Sequence, residues 1–221
     1  MKKQILLLTL LIASIVTNAQ LKPSFGVRAG VLSSSMKGDA FKSLNGILDF
    51  TNGIVTTKDH TGYFAGINAN IPFTDVLSLE PGLNYAEKGY QLYGSYDVKN
   101  LEFLSAEAKS DLRLKYLDIP MLLKANISGL QIFAGPQLSY LLNADLKTTA
   151  GALGFNLLNN TTDATQQFNK WDGAITGGLG YQFTNGLNIQ ASYDHGLSKV
   201  DANKSFDAYN RVFKIGVGMK F

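Results

Sequence analysis

Val212-Phe213-Lys214-Ile215-Gly216-Val217-Gly218-Met219-Lys220-Phe221 closes the chain. Phe213, Ile215, Val217, Met219 and Phe221 alternate there with Lys214, Gly216, Gly218 and Lys220. Successive side chains of an extended strand point to opposite faces, so a period of two predicts a strand with one apolar and one polar face.

Seven more segments repeat the pattern. Residues 25–32 oppose Phe25, Val27, Ala29 and Val31 to Gly26, Arg28 and Gly30, and residues 62–71 oppose Tyr63, Ala65, Ile67, Ala69 and Ile71 to Gly66, Asn68 and Asn70. Residues 77–90 set Leu77, Leu79, Pro81, Leu83 and Tyr85 against Ser78, Glu80, Gly82, Asn84 and Lys88. Residues 112–125 set Leu117, Ile119, Met121 and Leu123 against Asp118, Pro120 and Lys124; the alternation falters near Tyr116, where a bulge is expected. Residues 130–142 place Ile132, Ala134, Pro136, Leu138, Tyr140 and Leu142 opposite Gln131, Gly135, Gln137 and Ser139. Residues 171–183 and 187–195 complete the series, with Ile175, Leu179, Tyr181 and Phe183, then Leu187, Ile189, Ala191 and Tyr193, on their apolar faces.

The links between segments alternate in length. Residues 72–76, 126–129 and 184–186 are tight turns, and Ser128-Gly129 and Asn185-Gly186 supply residues that tolerate positive φ. Residues 33–61, 91–111, 143–170 and 196–211 are long. An antiparallel up-and-down sheet therefore carries its tight turns at one end and its large loops at the other.

Alternation suits both a soluble barrel with an apolar interior, as in a lipocalin-like carrier, and a membrane barrel with an apolar exterior. The polar faces decide the matter: they are Gly, Asn, Ser, Gln and Thr with scattered charges, whereas a water-exposed surface carries more Lys and Glu. A narrow eight-stranded interior favours small side chains. Charged residues make up 17% of the 221-residue chain, below the roughly 25% of a soluble domain. Aromatic residues gather at two levels, Phe25, Phe73, Phe183 and Phe221 near the tight turns and Tyr63, Tyr85, Tyr116, Tyr140, Trp171 and Tyr193 near the long loops. Two girdles of rings mark the lipid–water boundaries. The expected fold is all-β: an eight-stranded antiparallel up-and-down transmembrane β-barrel with short periplasmic turns and long extracellular loops. Unpaired backbone groups are intolerable in hydrocarbon, so strand one must pair with strand eight. Pro81, Pro120 and Pro136 each lack a ladder donor and are expected at bulges or breaks in pairing.

Lys2 and Lys3 precede an apolar run over residues 5–16, and Thr17-Asn18-Ala19 ends in a small residue. That is the pattern of a secretory signal peptide over residues 1–19, with the barrel domain over 20–221 and export through the Sec pathway. The formal charge of +3 forms no basic stripe, which argues against nucleic acid. The absence of cysteine excludes a disulfide framework, thiolate metal sites and thiol catalysis.

The leader, the strands Tyr116-Leu117-Asp118-Ile119-Pro120 and Gly177-Gly178-Leu179-Gly180-Tyr181, the stretch Ser192-Tyr193-Asp194-His195-Gly196-Leu197 and the terminal Phe221 resemble the PorT-like family of small outer-membrane β-barrels. The resemblance spans the mature chain and implies an integral protein of the bacterial outer membrane. It also implies a last strand whose terminal aromatic is read by the barrel-assembly machinery.

Charges on the polar faces are expected to form a lumenal network. Arg28, Glu80, Lys124 and Lys220 fall toward the periplasmic end, with Asp118, Asp194 and Lys214 higher. Removed from water, they must pair, and a side-chain plug is favoured over an ion path. A hydrolytic triad would need His195 beside Ser192 and Asp194 or Ser198, but Ser192 and Asp194 project away from His195 on a strand. His60, placed in the first loop, and His195 are too far apart for a zinc site. The glycines at 177–180 precede no helix and suit barrel curvature, not phosphate binding. Neither enzyme activity, metal nor cofactor is expected.

Apolar residues recur in the long links: Phe41, Leu44, Ile47, Leu48 and Phe50; Leu101, Leu104, Ala108 and Leu112 at helical spacing; Leu153, Phe155, Leu157 and Leu158. They suit a cap over the barrel and a surface for an extracellular or envelope protein partner. The sequence thus points to a non-enzymatic outer-membrane barrel with a plugged lumen and a structural, recognition or envelope-accessory role. A narrow pore is the first alternative, and a soluble lipocalin-like carrier the second.

Overall fold

The computed structural model describes residues 22–38, 55–96, 106–152, 155–202 and 207–221. The strands are β1 (Ser24–Lys37), β2 (Val55–Pro72), β3 (Leu77–Tyr96), β4 (Ala106–Ile127), β5 (Leu130–Ala152), β6 (Phe155–Asp163), β7 (Trp171–Gln182), β8 (Leu187–Gly196) and β9 (Tyr209–Lys220). Eight of them close a ring in the order β1-β2-β3-β4-β5-β7-β8-β9, every neighbour antiparallel. β9 returns to β1 in register from Gly26↔Lys220 to Lys37↔Tyr209. The last backbone donor, Phe221 N–H, reaches the Phe25 carbonyl at 2.8 Å.

Facing follows the alternation. Val27, Val31, Ile67, Leu83, Ile119, Leu123, Ile132, Leu138, Ile175, Ile189 and Ile215 are exposed on the outer wall, while Arg28, Glu80, Asn84, Asp118, Lys124, Gln137, Thr176, Asp194 and Lys214 are buried inside. In water such a surface would be ruinous; in lipid it is the natural one. Phe25, Phe73, Phe183 and Phe221 lie exposed at the tight-turn end. At the other end Tyr63 packs on Tyr85 at 5.9 Å, and Tyr140 meets Trp171 edge-on at 4.9 Å. The tightest turn is Ser128-Gly129, with φ of 51° and 93°, the paired positive values that a two-residue hairpin requires.

Each proline sits beside a gap in a ladder. β2–β3 pairing skips from Asn68↔Gly82 to Ile71↔Leu79 across Pro81. β3–β4 pairing skips from Pro81↔Met121 to Asn84↔Asp118 across Pro120, and β4–β5 from Pro120↔Gln137 to Leu123↔Ala134 across Pro136. No register is lost at any of the three.

Several expectations need correction. The strands run well past the aromatic girdle into stretches read as loops, and the third long link contains β6, which pairs with β5 from Asp145↔Asp163 to Ala152↔Phe155. Ala108 and Leu112, at helical spacing, lie in β4, because ladders to β3 and β5 on both sides satisfy that backbone. The bulge near Tyr116 falls on the partner strand: Tyr116 pairs Leu141 and Lys115 pairs Asn143, so Leu142 is the extra residue. Alternation on β4 is therefore unbroken, and Tyr116 points inward, fully buried, rather than into the girdle. Residues 1–19, Phe41, Leu44, Ile47, Leu48, Phe50, Leu101, Leu104 and Leu153 lie outside the described residues.

The outward facing has a direct test. Leu138 and Ile215 are 45% and 54% exposed on the lipid wall, where an arginine at mid-depth costs about 2–4 kcal/mol. Leu138→Arg and Ile215→Arg are expected to abolish heat-modifiable electrophoretic migration, and Lys37→Arg to leave it intact.

Candidate functional site

The inward residues stack in three layers. In the lowest, Arg28 Nε donates to Asn84 Oδ1 at 2.8 Å and Nη1 to Glu80 Oε1 at 3.2 Å. Lys124 closes on the other Glu80 oxygen and donates to Gln131 Oε1 at 3.5 Å, its ammonium 5.5 Å from the Phe133 ring centre. β1, β3, β4 and β5 each supply a residue, because the register brings their inward rows to one height. Below this layer the lumen opens as a cavity of about 270 Å³ toward the tight turns. Lys220 stands at its rim, exposed and outside every ion pair described, because β9 ends there beyond the last inward partner.

The middle layer centres on Asp118, which is fully buried. Its Oδ1 accepts from Lys88 Nζ at 2.7 Å and from the Ser139 hydroxyl at 2.6 Å, and its Oδ2 accepts from Lys214 Nζ at 3.3 Å. Lys214 also binds Asp194 at 2.6 Å, and Asp194 accepts from Thr176 Oγ1 at 2.9 Å and Gln137 Nε2 at 3.2 Å. Two lysines face two carboxylates, with hydroxyl and amide groups taking the remaining lone pairs. Lys88, on the polar face of its strand, lies outside the expected network; it pairs with Leu114 and reaches diagonally to Asp118, whose own partner is Asn84, an arrangement set by register that a single strand does not reveal. Asp172, held by Asn210 Nδ2 at 2.6 Å, is a further buried carboxylate on an inward face, outside the expected network.

Aromatic rings fill the space between these charges. Lys214 lies 5.8 Å from the Phe64 ring centre and Lys88 4.7 Å from that of Tyr116. Phe64 fits only because β1 and β9 present glycine to it: a Cβ on Gly30 or Gly216 would come within 2.7 Å of its ring. The void among Arg28, Phe64, Phe133 and Lys214 is about 20 Å³, room for about one water molecule.

The upper layer is apolar. Met36, Tyr90, Leu114, Tyr116, Leu141 and Ala144 from the wall pack with Ala164, Val200 and Ala208 from the connections, and Phe168 leans on them. Asn169 fastens this cap, donating to the Lys199 carbonyl at 2.7 Å and the Asp201 carbonyl at 3.0 Å. The inward face is thus not polar throughout, as the sequence reading had it; where water is shut out at the top, apolar side chains need no partners.

The catalytic candidates stay apart. Asp194 and Thr176 belong to the buried middle layer, whereas His195 is exposed on the outer side beside Tyr193. His60 lies in β2, not in a loop, and is buried. Its Nδ1 donates to Asp111 Oδ1 at 2.9 Å, and its Nε2 is 3.5 Å from Glu87 Oε1. Arg113 Nη2 donates to the second Asp111 oxygen at 3.0 Å. Burial works to raise the Asp111 carboxyl, but the Arg113 hydrogen bond and His60 outweigh it and hold the group below the ordinary carboxylate range. Among the described residues no group of three His, Cys, Asp or Glu could hold a metal ion.

The family model described as outer membrane protein beta-barrel domain matches residues 17–202. Among solved structures, the chain is similar to Ail, the attachment invasion locus protein of Yersinia pestis, at 15% identity over 91% of this chain and 100% of that one, TM-score 0.46. Neisserial surface protein A (NspA) is 14% identical over 90% and 99%, TM-score 0.48. OprG from Pseudomonas aeruginosa is 16% identical over 90% and 95%, TM-score 0.40. No curated protein matches the chain in sequence.

Two outcomes are expected from this geometry. Asp118→Ala leaves Lys88 and Lys214 facing each other's layer with one carboxylate fewer, and stranding a buried charge costs about 3–5 kcal/mol; urea unfolding of the refolded barrel should register that loss. A depressed carboxyl contributes stability above the ordinary aspartate pKa of about 4 and loses it as pH falls through the folded value. Hydrogen-exchange protection factors in the β2–β4 extension should therefore fall on acidification below about pH 4, and Asp111→Asn should lower them already at neutral pH and flatten the dependence.

Proposed function

The chain belongs to the outer membrane protein beta-barrel domain family, and from that premise we propose that it is a non-conducting, non-enzymatic barrel whose task lies at the cell surface. The lumen supports the first part of the reading. Ion pairs, rings and an apolar cap occupy its successive layers, and the void among Arg28, Phe64, Phe133 and Lys214 has room for about one water. In this role Arg28, Glu80, Asp118, Lys124, Asp194 and Lys214, with Lys88, serve as a rigid plug. Phe25, Tyr63, Phe73, Tyr85, Tyr140, Trp171, Phe183, Tyr193 and Phe221 seat the barrel between the two lipid boundaries.

The β5–β6 hairpin supports the second part. β5 runs twelve residues beyond Tyr140, about 40 Å at 3.4 Å per residue, and carries β6 at its margin. β6 pairs only with β5 among the described strands, and Leu158, Asn159, Asn160, Thr161, Thr162 and Asp163 are exposed on it. An open edge of backbone donors and acceptors, dressed with amides and hydroxyls, suits an extended segment of an extracellular protein. Its polarity discourages the edge-to-edge association that an apolar strand would invite.

The finer likeness to PorT-like barrels belongs to the same reading and rests on the strand motifs around Asp118, Gly178 and Asp194. So do removal of residues 1–19 as a signal peptide and recognition of the Phe221 strand by the assembly machinery.

The single observation that carries the proposal is the lumen packed with side chains. Purified protein in a planar bilayer is expected to give no stable conductance steps. Stable steps from the native chain would establish the narrow-pore alternative instead. Tyr116→Ala combined with Leu141→Ala, which hollows the cap, is expected to introduce flickering conductance while β1–β9 closure persists.

A further inference from the structure

We propose that the periplasmic vestibule is a binding site for a small oxyanion, a carboxylate or a phosphate group presented from the periplasm. The cavity of about 270 Å³ lies below the lowest ion layer and is independent of the surface hairpin. Lys22, Lys124 and Lys220 line it, against two carboxylates, Glu80 and Asp75.

Glu80 is not available to balance the lysines. One of its oxygens takes Arg28 and the other takes Lys124, so a single buried carboxylate serves two buried cations. Asp118 and Asp194 of the layer above also act on Arg28, whereas Lys124, at the vestibule, has only the Glu80 carboxylate that it shares with Arg28. A buried charge left without a counter-charge is costly, and the open side of this layer is the vestibule.

Unused hydrogen-bonding capacity points the same way. Ser24 Oγ, in the vestibule wall, is buried without a partner, and so is Arg28 Nη2 behind the apex. Asn70, Asn126, Gln131 and Asn188 complete a wall of amides that can donate to oxygen. Lys22 and Lys220 stand exposed at the rim, where they attract an anion from solution without being held by any acid described. Arg28 is confined to its position by Gly82, where a Cβ would come within 2.4 Å of Nη2. An oxyanion entering from below would meet Lys124 at the apex, Ser24 at the wall and the two rim lysines, and would give Lys124 an anionic partner besides the shared Glu80.

The test uses the isotopically labelled barrel in detergent micelles, in a cationic buffer with chloride, titrated with inorganic phosphate in one arm and succinate in the other. Saturable shifts are expected in the backbone amides of Ser24, Gly26, Asn126, Gln182 and Lys220; the arm that saturates at lower concentration identifies the anion. Lys22→Gln with Lys220→Gln should weaken binding at least tenfold, Lys124→Gln should abolish it, and Lys37→Gln, at the opposite end, should leave it unchanged. If Lys124→Gln does not fold, the rim pair decides alone. Absence of saturation with both anions, or equal affinity in the rim pair and the native chain, overturns the proposal.

Discussion

Inside a bilayer no water satisfies a stray N–H or C=O, and everything else in this molecule follows from that constraint. It forces β9 back onto β1, and the register from Gly26↔Lys220 to Lys37↔Tyr209 accomplishes it. Closure in antiparallel sense demands an even ring, which is why β6 stands apart from the ring and pairs only above the girdle. The prolines show how strictly the rule is kept. Pro81, Pro120 and Pro136 each interrupt one seam for two residues, and pairing resumes in the same register on the far side. A slip of one residue there would have sent every later side chain to the wrong face.

Closure also makes the interior narrow, and narrowness governs its chemistry. Eight strands leave room for side chains and little more. Charges admitted there must find opposite charges at hydrogen-bond distance, as Lys88, Asp118, Lys214 and Asp194 do. Rings take the remaining volume, and glycine on the facing strand is what makes room for Phe64. The inward glycines and the inward aromatics are therefore two halves of one packing solution, although each looks unremarkable in its own strand.

Period-two alternation made the outer wall legible, since one continuous solvent acts on all of it and selects the same residue type at every position. The inner wall has no such uniform environment. Phe64, Leu122, Phe133 and Leu141 are apolar residues facing inward between apolar residues facing outward, so the alternation lapses at those positions. Tyr116 shows the difficulty most plainly: parity with Asp118 places it inside, but its type and its height match the girdle. Partnerships across strands were out of reach for another reason. Lys88 meets Asp118 and Asp194 meets Lys214 only through the registers of two separate ladders, β3–β4 and β8–β9. β6 is polar along Asn159-Asn160-Thr161-Thr162 and owes its strand form to the rigid margin of β5 rather than to its own residues.

The two ends of the lumen solve the same burial problem in opposite ways, and the difference follows from what lies beyond each. At the extracellular end the connections fold back, so Ala164, Val200 and Ala208 can exclude water and apolar contact suffices. At the periplasmic end the turns are too short to cover anything; residues 73–76 and 183–186 only join their strands. That mouth must remain wet, and amides, hydroxyls and lysines line it. The charged layers between the ends are the boundary of a one-sided cup, with Glu80 and Lys124 facing the water and Arg28 and Asp118 behind them.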